Sequence, residues 1–565
     1  MAAARDQRHV VAAMRRGAVA ALALLAALGP LVALGSPAVG SPRATTAPLA
    51  ISVVVPLTAQ AGENGLLDAE TLAAMTAPSG TLSRELDEVL ATSATIALDP
   101  MLLASVRVLG SEAPDSAVEW IARLESAPNE VFLLAYADAD LSALVRAASL
   151  DLAEPVGFDF ALDPGAFGPP QTDTPTASPT PTPTGDGADD DPPPLPTTAE
   201  LLAWPDAIGR IAWPSAGSVV GADLPTYAAA GYDAVLLSSA NVSETSGARA
   251  DLNGVAGLVA DSAASELFRE ASTSIDPAAR GDVVGRLGVA LDGLAAAHPG
   301  RSVVLTLDRR TTFTFSALEE VYRAVEVRES TRMTGLAEVL AGPSEAAAVV
   351  DGQPAPHIAE GPALTAALRS EASFASILTD PRQLTAPRRL QLLALLAVPD
   401  IAASDWSDRA RSFLVRSTEI LGSVTIVDTG SVVVASSQTS IPIRIANALD
   451  FAVTVRVSAV PLRPLLRIDG PAEVTVEPGS SKTVGLDAQA ITNGRVSVRA
   501  ELSSPSGVSI GEPRTFQADL QAQWETVGIV VGVLAAVVFA GGIVRNIVGR
   551  RRKAARERPV GDEGS

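Results

Sequence analysis

From Leu49 onward the chain alternates short β-branched runs with alanine-rich runs whose apolar positions recur at helical spacing. Residues 51–55 predict a strand. Residues 82–90 predict a helix with Leu82, Leu86, Val89 and Leu90 on one face. The order continues with a strand at 95–98, a helix at 116–124, a strand at 131–135 and a helix at 141–148. Further along, strands at 209–213, 234–237 and 302–307 alternate with helices at 224–230, 265–271 and 281–297. More helices follow at 315–327, 388–396 and 405–418. Repeated βα units predict a mainly parallel sheet covered by helices: an irregular (β/α) barrel-like or parallel-sheet head over 49–420.

Near residue 422 the period changes to two. Short runs at 423–427, 431–434, 441–445, 452–457, 473–476, 482–486, 494–499 and 515–520 are separated by turn residues. Eight such runs predict an all-β domain over 421–522, an immunoglobulin-like β-sandwich. The whole is therefore a multidomain α/β plus all-β chain. Between the βα units, 169–198 breaks the pattern with Thr-Pro repeats and the acids Asp189, Asp190 and Asp191. It cannot build a core, and reads as a disordered, exposed insertion open to O-glycosylation.

Two apolar runs bracket these domains, and each keeps its basic residues on the terminal side. The run 18–34 follows Arg15 and Arg16 and precedes the small residues Ser36, Ala38 and Gly40. That is the layout of a signal peptide within 1–40, cleaved or retained as an anchor. The run 526–544 carries no charge and is followed by Arg545 and by Arg550, Arg551, Arg552 and Lys553. It predicts a C-terminal transmembrane helix with a basic cytoplasmic tail at 545–565. The expected topology is single-pass in the cell membrane, with an exported N-terminal ectodomain.

Composition narrows the chemistry. The 565 residues are 47% hydrophobic, carry a net charge of -22, and contain no cysteine and three histidines. Disulfides, thiolate sites and cysteine nucleophiles are excluded, a histidine metal cluster is not expected, and no cofactor is implied. An acidic ectodomain argues against nucleic acid as a partner. No Gly-x-Ser-x-Gly elbow occurs, and 254–257 lacks the spacing of a phosphate loop.

The candidate catalytic residues are acids at expected strand ends: Asp99, Asp138 and Asp308. Converging carboxylates could act as acid and base on a glycosidic bond. Tyr136, Asp140, Trp204, Trp213 and Arg309 are the candidate ligand-binding residues, the aromatic ones as platforms for sugar rings. Each has a structural alternative. Asp99 before Pro100 matches an N-cap with proline at the first helical position, and Asp140 is placed to cap the helix after it. Trp204-Pro205 and Trp213-Pro214 fit packed loops, and His298 before Pro299 and Gly300 fits a helix end.

At Ala94-Thr95-Ile96-Ala97-Leu98-Asp99-Pro100, Tyr136-Ala137-Asp138-Ala139-Asp140 and Thr306-Leu307-Asp308-Arg309, the chain resembles a family of uncharacterised actinobacterial exported membrane proteins. Members of that family are typically encoded beside the MviN/MurJ-like lipid II flippase. Its alanine- and arginine-rich, lysine-poor composition is similar to that of high-GC actinobacterial proteomes. The resemblance implies a cell-envelope setting near peptidoglycan assembly, with cell-wall glycan, an envelope protein or a MurJ-like membrane protein as partner. The N-terminal region also resembles the (β/α) barrels of polysaccharide deacetylases and related glycosidases. It departs from them where their metal is held: Asp99 has no neighbouring Asp, and no His-x-x-x-His follows. Three functions are therefore expected: a glycan- or protein-binding ectodomain, a glycoside hydrolase-like enzyme, or an accessory subunit of a flippase.

Overall fold

The computed structural model describes residues 47–168, 194–245, 247–311, 313, 316–352, 355–427, 430–434, 439–521 and 524–554. The expected leader, residues 169–193 of the Thr/Pro-rich stretch, and the tail beyond 554 lie outside the described residues. Described structure resumes within that stretch. A capping box between Thr197 and Glu200 starts a helix at Thr198–Leu202.

The head is built on ten strands: β1 (Leu49–Leu57), β2 (Thr95–Leu98), β3 (Val131–Leu133), β4 (Ile211–Ala212), β5 (Ala234–Ser238), β6 (Arg249–Leu252), β7 (Val255–Ala260), β8 (Ser302–Thr306), β9 (Thr331–Met333) and β10 (Glu345–Ala346). Every residue of β1 is buried, as a strand covered on both faces requires. It pairs in parallel with β2, β8 and β9. The sheet is curled. Parallel pairings run β1–β2–β3 and β4–β5–β7–β8–β1. A parallel bridge between Val131 and Ala207, with Ile208 N–H donating to the Val131 carbonyl at 2.9 Å, links the two runs.

Alternate residues of these strands enter different cores. Val53, Val55, Ile96, Leu98, Val235, Leu237, Val303 and Leu305 pack outward among the helices. Val54, Ala97, Phe132, Ile211, Ala234, Leu236, Leu258 and Val304 form a separate cluster on the concave side, joined by Leu336 and Val339. That period-two division fixes register, because a one-residue slip would exchange the two faces of a strand.

The pair β6–β7 is antiparallel and turns at Asn253-Gly254, where φ is 58° and 88°. Two left-handed central residues make the turn that suits a tight hairpin. A sequence reading of 254–257 for phosphate chemistry overlooks this Asn-Gly signal. Helices Pro356–Phe374, Arg382–Leu395 and Trp406–Leu421 close the head.

The C-terminal strands are β11 (Val424–Val427), β12 (Val432–Val434), β13 (Thr439–Asn447), β14 (Val453–Pro461), β15 (Leu466–Ile468), β16 (Ala472–Val476), β17 (Ser481–Ala490), β18 (Gly494–Ser503) and β19 (Ser509–Leu520). They form a four-stranded sheet, β11-β13-β17-β15, and a five-stranded one, β12-β19-β18-β14-β16. Ile441, Ile443 and Ile445 of one sheet and Val453, Val455 and Val457 of the other share one core, so the sheets are sandwiched. Strand β15 is short and bounded by prolines and charges, which hides it from a periodicity reading. The sandwich core also takes in Phe374, Ile377, Leu378, Leu384 and Ile420 from the head's closing helices and their connection. Leu378 bridges Val453 in antiparallel fashion.

A single helix, Trp524–Ala554, ends the described chain. Within Gly528–Arg552 an 18-residue window has a mean hydropathy of 2.2 and buries nothing against the rest of the protein. At about 1.5 Å per residue this helix is long enough to cross a bilayer. A multidomain region thus precedes one C-terminal membrane-spanning helix, with a short tail after it.

Candidate functional site

Because the principal strands of the curled sheet run parallel, the loops after β2, β3, β4, β5, β7 and β8 gather on one rim. A cavity of about 180 Å³ opens there. It is lined by Trp213 after β4, Ser238 ending β5, Ser265, Glu266 and Arg269 on the helix after β7, and Asp308 and Arg309 after β8.

Arg309 organises one wall. Its Nε donates to Asp138 Oδ2 at 3.1 Å, and its Nη2 donates to the Trp213 carbonyl at 2.7 Å. Its guanidinium carbon lies 3.9 Å from the centre of the Trp213 ring, a cation–π stack. Asp308 forms the opposite character. Its side chain is 75% exposed and forms an ion pair with Arg269, Oδ2 lying 3.1 Å from Nε, while Arg269 Nε donates to Glu266 Oε2 at 3.1 Å. The cavity therefore offers an indole, two guanidinium groups, two carboxylates and several hydroxyls.

Asp138 is buried, and burial raises its carboxyl to a pKa of about 6 against the pull of Arg309. Its backbone is left-handed, φ 51°, as is that of Ala137, φ 56°, and of Arg310, φ 55°. Such conformations cost roughly 1 kcal/mol or more each for residues with a Cβ. The rim is braced accordingly. Val398 N–H donates to the Asp138 carbonyl at 2.8 Å, Asp140 N–H to the Leu396 carbonyl at 2.7 Å, and Arg310 Nη1 to Asp400 at 2.7 Å.

Asp99 lies beneath this rim and is fully buried. Its Oδ1 accepts from Met101 N–H, capping the helix Pro100–Arg107, and from Ala137 N–H, both at 2.9 Å. Its Oδ2 has no hydrogen-bond partner, and burial pushes the carboxyl well above its usual range. Through the bond to Ala137 N–H, Asp99 holds the 137–138 turn. Asp140 caps the helix Leu141–Arg146 through Ser142 N–H at 3.0 Å. Its Oδ2 lies 2.7 Å from His357 Nε2, and both side chains are buried.

Tyr136 and Trp204 stand apart from the cavity. The Tyr136 hydroxyl donates to the Gly65 carbonyl at 2.8 Å, and its ring packs on Phe158. It borders a second cavity of about 490 Å³ with Pro100, Arg210 and Tyr232. Trp204 packs half-buried on the head's outer core. Of the residues singled out in the sequence, Trp213, Asp308 and Arg309 line one opening, and Asp138 is buried behind it, bonded to Arg309. Arg269, Glu266 and Asp400 were missed, since each faces the rim from an element far away in sequence. Among the described residues no group of three or more His, Asp or Glu could hold a metal ion.

One family model, described as "Family of unknown function (DUF6049)", matches residues 36–559. No curated protein matches the chain. Among solved structures it is similar to Escherichia coli alpha-2-macroglobulin from domain MG7 to the C-terminus. The identity is 16%, over 18% of this chain and 17% of that chain, with a TM-score of 0.15. It is also similar to WR4, a C. elegans MSP family member, at 6% identity over 18% of this chain and 98% of that one, TM-score 0.14. PapD-like domain 7 of human CEP192 gives 12% identity, 18% and 84% coverage, and a TM-score of 0.14. Scores this low carry no argument about this chain, which spans under a fifth of the macroglobulin.

Proposed function

The chain belongs to the family of unknown function DUF6049, and on that premise we propose a membrane-anchored protein whose exported head binds a cell-envelope glycan at the strand-end cavity. The observation that carries this reading is the convergence of Trp213, Arg309, Asp308 and Arg269 on one opening. An aromatic face with fixed polar groups around it is what a sugar ring and its hydroxyls require. A cavity of about 180 Å³ suits a terminal or single residue of a polymer. In this reading the head is an irregular (β/α) barrel, supported by the chain of parallel pairings and its separate inner cluster. The sandwich is immunoglobulin-like, and the arginines at 545 and 550–552 keep the tail in the cytoplasm.

Full-length protein in detergent, titrated calorimetrically with soluble peptidoglycan fragments, tests it. The chain should bind, and Asp308→Ala, at an exposed position, should weaken binding about tenfold, which is ~1.4 kcal/mol. No heat with any wall fragment at millimolar concentration would sink the glycan reading.

One observation favours a second reading, a glycoside hydrolase. Asp138 has a raised pKa, sits in a strained turn and bonds Arg309 of the cavity wall, and a carboxyl raised in this way is suited to proton donation. New reducing ends released from wall fragments, abolished in Asp138→Asn, would distinguish hydrolysis from binding alone.

A further inference from the structure

We propose that the end of the sandwich farthest from the head lies on the bilayer, inserting Leu462 and Ile491 into the interface while Arg463 meets anionic headgroups. This rests on the sandwich and its connection to the membrane helix, independently of what the head binds.

The two ends of the sandwich are defined by its pairings. At one end Val453 pairs with Val476 and bridges Leu378 of the head. At the other, Pro461 pairs with Val498 and Gly494 with Leu520. There Leu462 N–H donates to the Ser497 carbonyl at 2.8 Å, and Ile491 N–H to the Leu465 carbonyl at 2.9 Å. Residues 460–465, 490–495 and 519–521 therefore meet at one tip.

Sheet pairing holds to the last residue before the link. Gln521 N–H donates to the Val434 carbonyl at 2.8 Å, and the apolar helix begins at Trp524. Three residue steps reach at most about 11 Å. The tip is thus tethered within a side chain or two of the headgroup region.

Its surface suits that position. Val460, Leu462 and Ile491 are 58%, 59% and 54% exposed, and Pro464 between them is exposed too. The stretches 460–467 and 490–500 contain no Asp or Glu but do contain Arg463, Arg467, Arg495 and Arg499. In a chain of net charge -22, an apolar tip whose cations outnumber its one acid, Asp519, is suited to an anionic surface. Arg495 is paired with Asp519, which leaves Arg463 as the exposed cation among the apolar residues.

The absence of cysteine from the chain makes the test direct. Full-length protein carrying Leu462→Cys, Ile491→Cys or Ser480→Cys is spin-labelled in nanodiscs of phosphatidylethanolamine and phosphatidylglycerol. Position 480 lies in the turn at the opposite end of the sandwich. Labels at 462 and 491 should collide with a water-soluble nickel reagent several-fold less often than the label at 480, and more often with oxygen. Adding Arg463→Glu should erode that protection in these discs but not in phosphatidylcholine discs. Equal nickel access at all three sites overturns the proposal. So does protection that appears only with two chains per disc, which assigns the tip to a second copy. An unchanged signal with Arg463→Glu overturns the headgroup contact.

Discussion

Arg388→Ala should destabilise the protein by about 3–5 kcal/mol, the cost of leaving a buried carboxylate without its partner. Arg388 Nε and Nη2 donate to the two oxygens of Glu371 at 2.9 and 2.8 Å, and Nη2 also reaches the Phe413 carbonyl at 3.1 Å. Its guanidinium carbon lies 3.9 Å from the centre of the Phe413 ring. One side chain therefore ties together the helices Pro356–Phe374, Arg382–Leu395 and Trp406–Leu421. Arginine and glutamate are both almost wholly shielded from water, so screening offers little relief. Thermal unfolding should show a fall in Tm on the order of 10 °C. The double variant Arg388→Met with Glu371→Leu should lose much less, because no unpaired charge remains. Equal losses in the single and double variants would show that shape, not charge, holds the three helices.

The second large effect concerns pH. Glu85, buried on the helix Thr81–Leu90, is raised to about 8 by desolvation. Asp138 is raised to about 6 and Asp99 well above its usual range, also chiefly by burial. Each group stays protonated in the folded protein at pH values where the unfolded chain has already lost the proton. Folding therefore takes up protons between the ordinary carboxylate range and these raised values. Stability falls as pH rises through that window, up to about pH 6 for Asp138 and about pH 8 for Glu85. The growing negative charge of an already acidic chain acts in the same direction. Glu85→Gln should match the parent near pH 4.5 and exceed it by up to about 5 kcal/mol at pH 8.5, at ~1.4 kcal/mol per unit of relieved shift. Melting curves across pH 4.5–8.5 give the comparison. Parallel profiles for the two proteins would mean that Glu85 reaches solvent in the folded state.

Local grammar made much of this molecule readable. Strand β2 occupies the predicted 95–98, because a four-residue apolar run ends at Asp99-Pro100, a capping pair whose geometry the structure bears out. The period-two runs before the membrane helix foretold eight of the nine sandwich strands. What stayed hidden depends on distance along the chain or on patterns that cancel. The helix Pro356–Phe374 has Pro362 inside it, and its buried face includes the polar His357, Thr365 and Glu371 while Ala359, Ala363, Ala366 and Ala372 are exposed, so it shows little amphipathic signal. Asp140 meets His357 across 217 residues, and Arg310 meets Asp400 across 90. Neither pairing leaves a mark on local sequence. For the same reason Arg309 and Trp213 could be chosen singly, but their stacking could not.

The core that crosses from the closing helices into the sandwich has a mechanical consequence. Phe374, Ile377, Leu378, Leu384 and Ile420 are buried on the sandwich side of the junction, so bending there would expose apolar surface at roughly 25 cal/mol per Å². The joint behaves as a weld and not as a hinge. Strand β14 spans nine residues between the two ends of the sandwich, about 30 Å at strand rise. With the sandwich tip seated on the bilayer as proposed, the cavity is mounted on a stiff post, and a glycan bound there has to come to that height above the membrane.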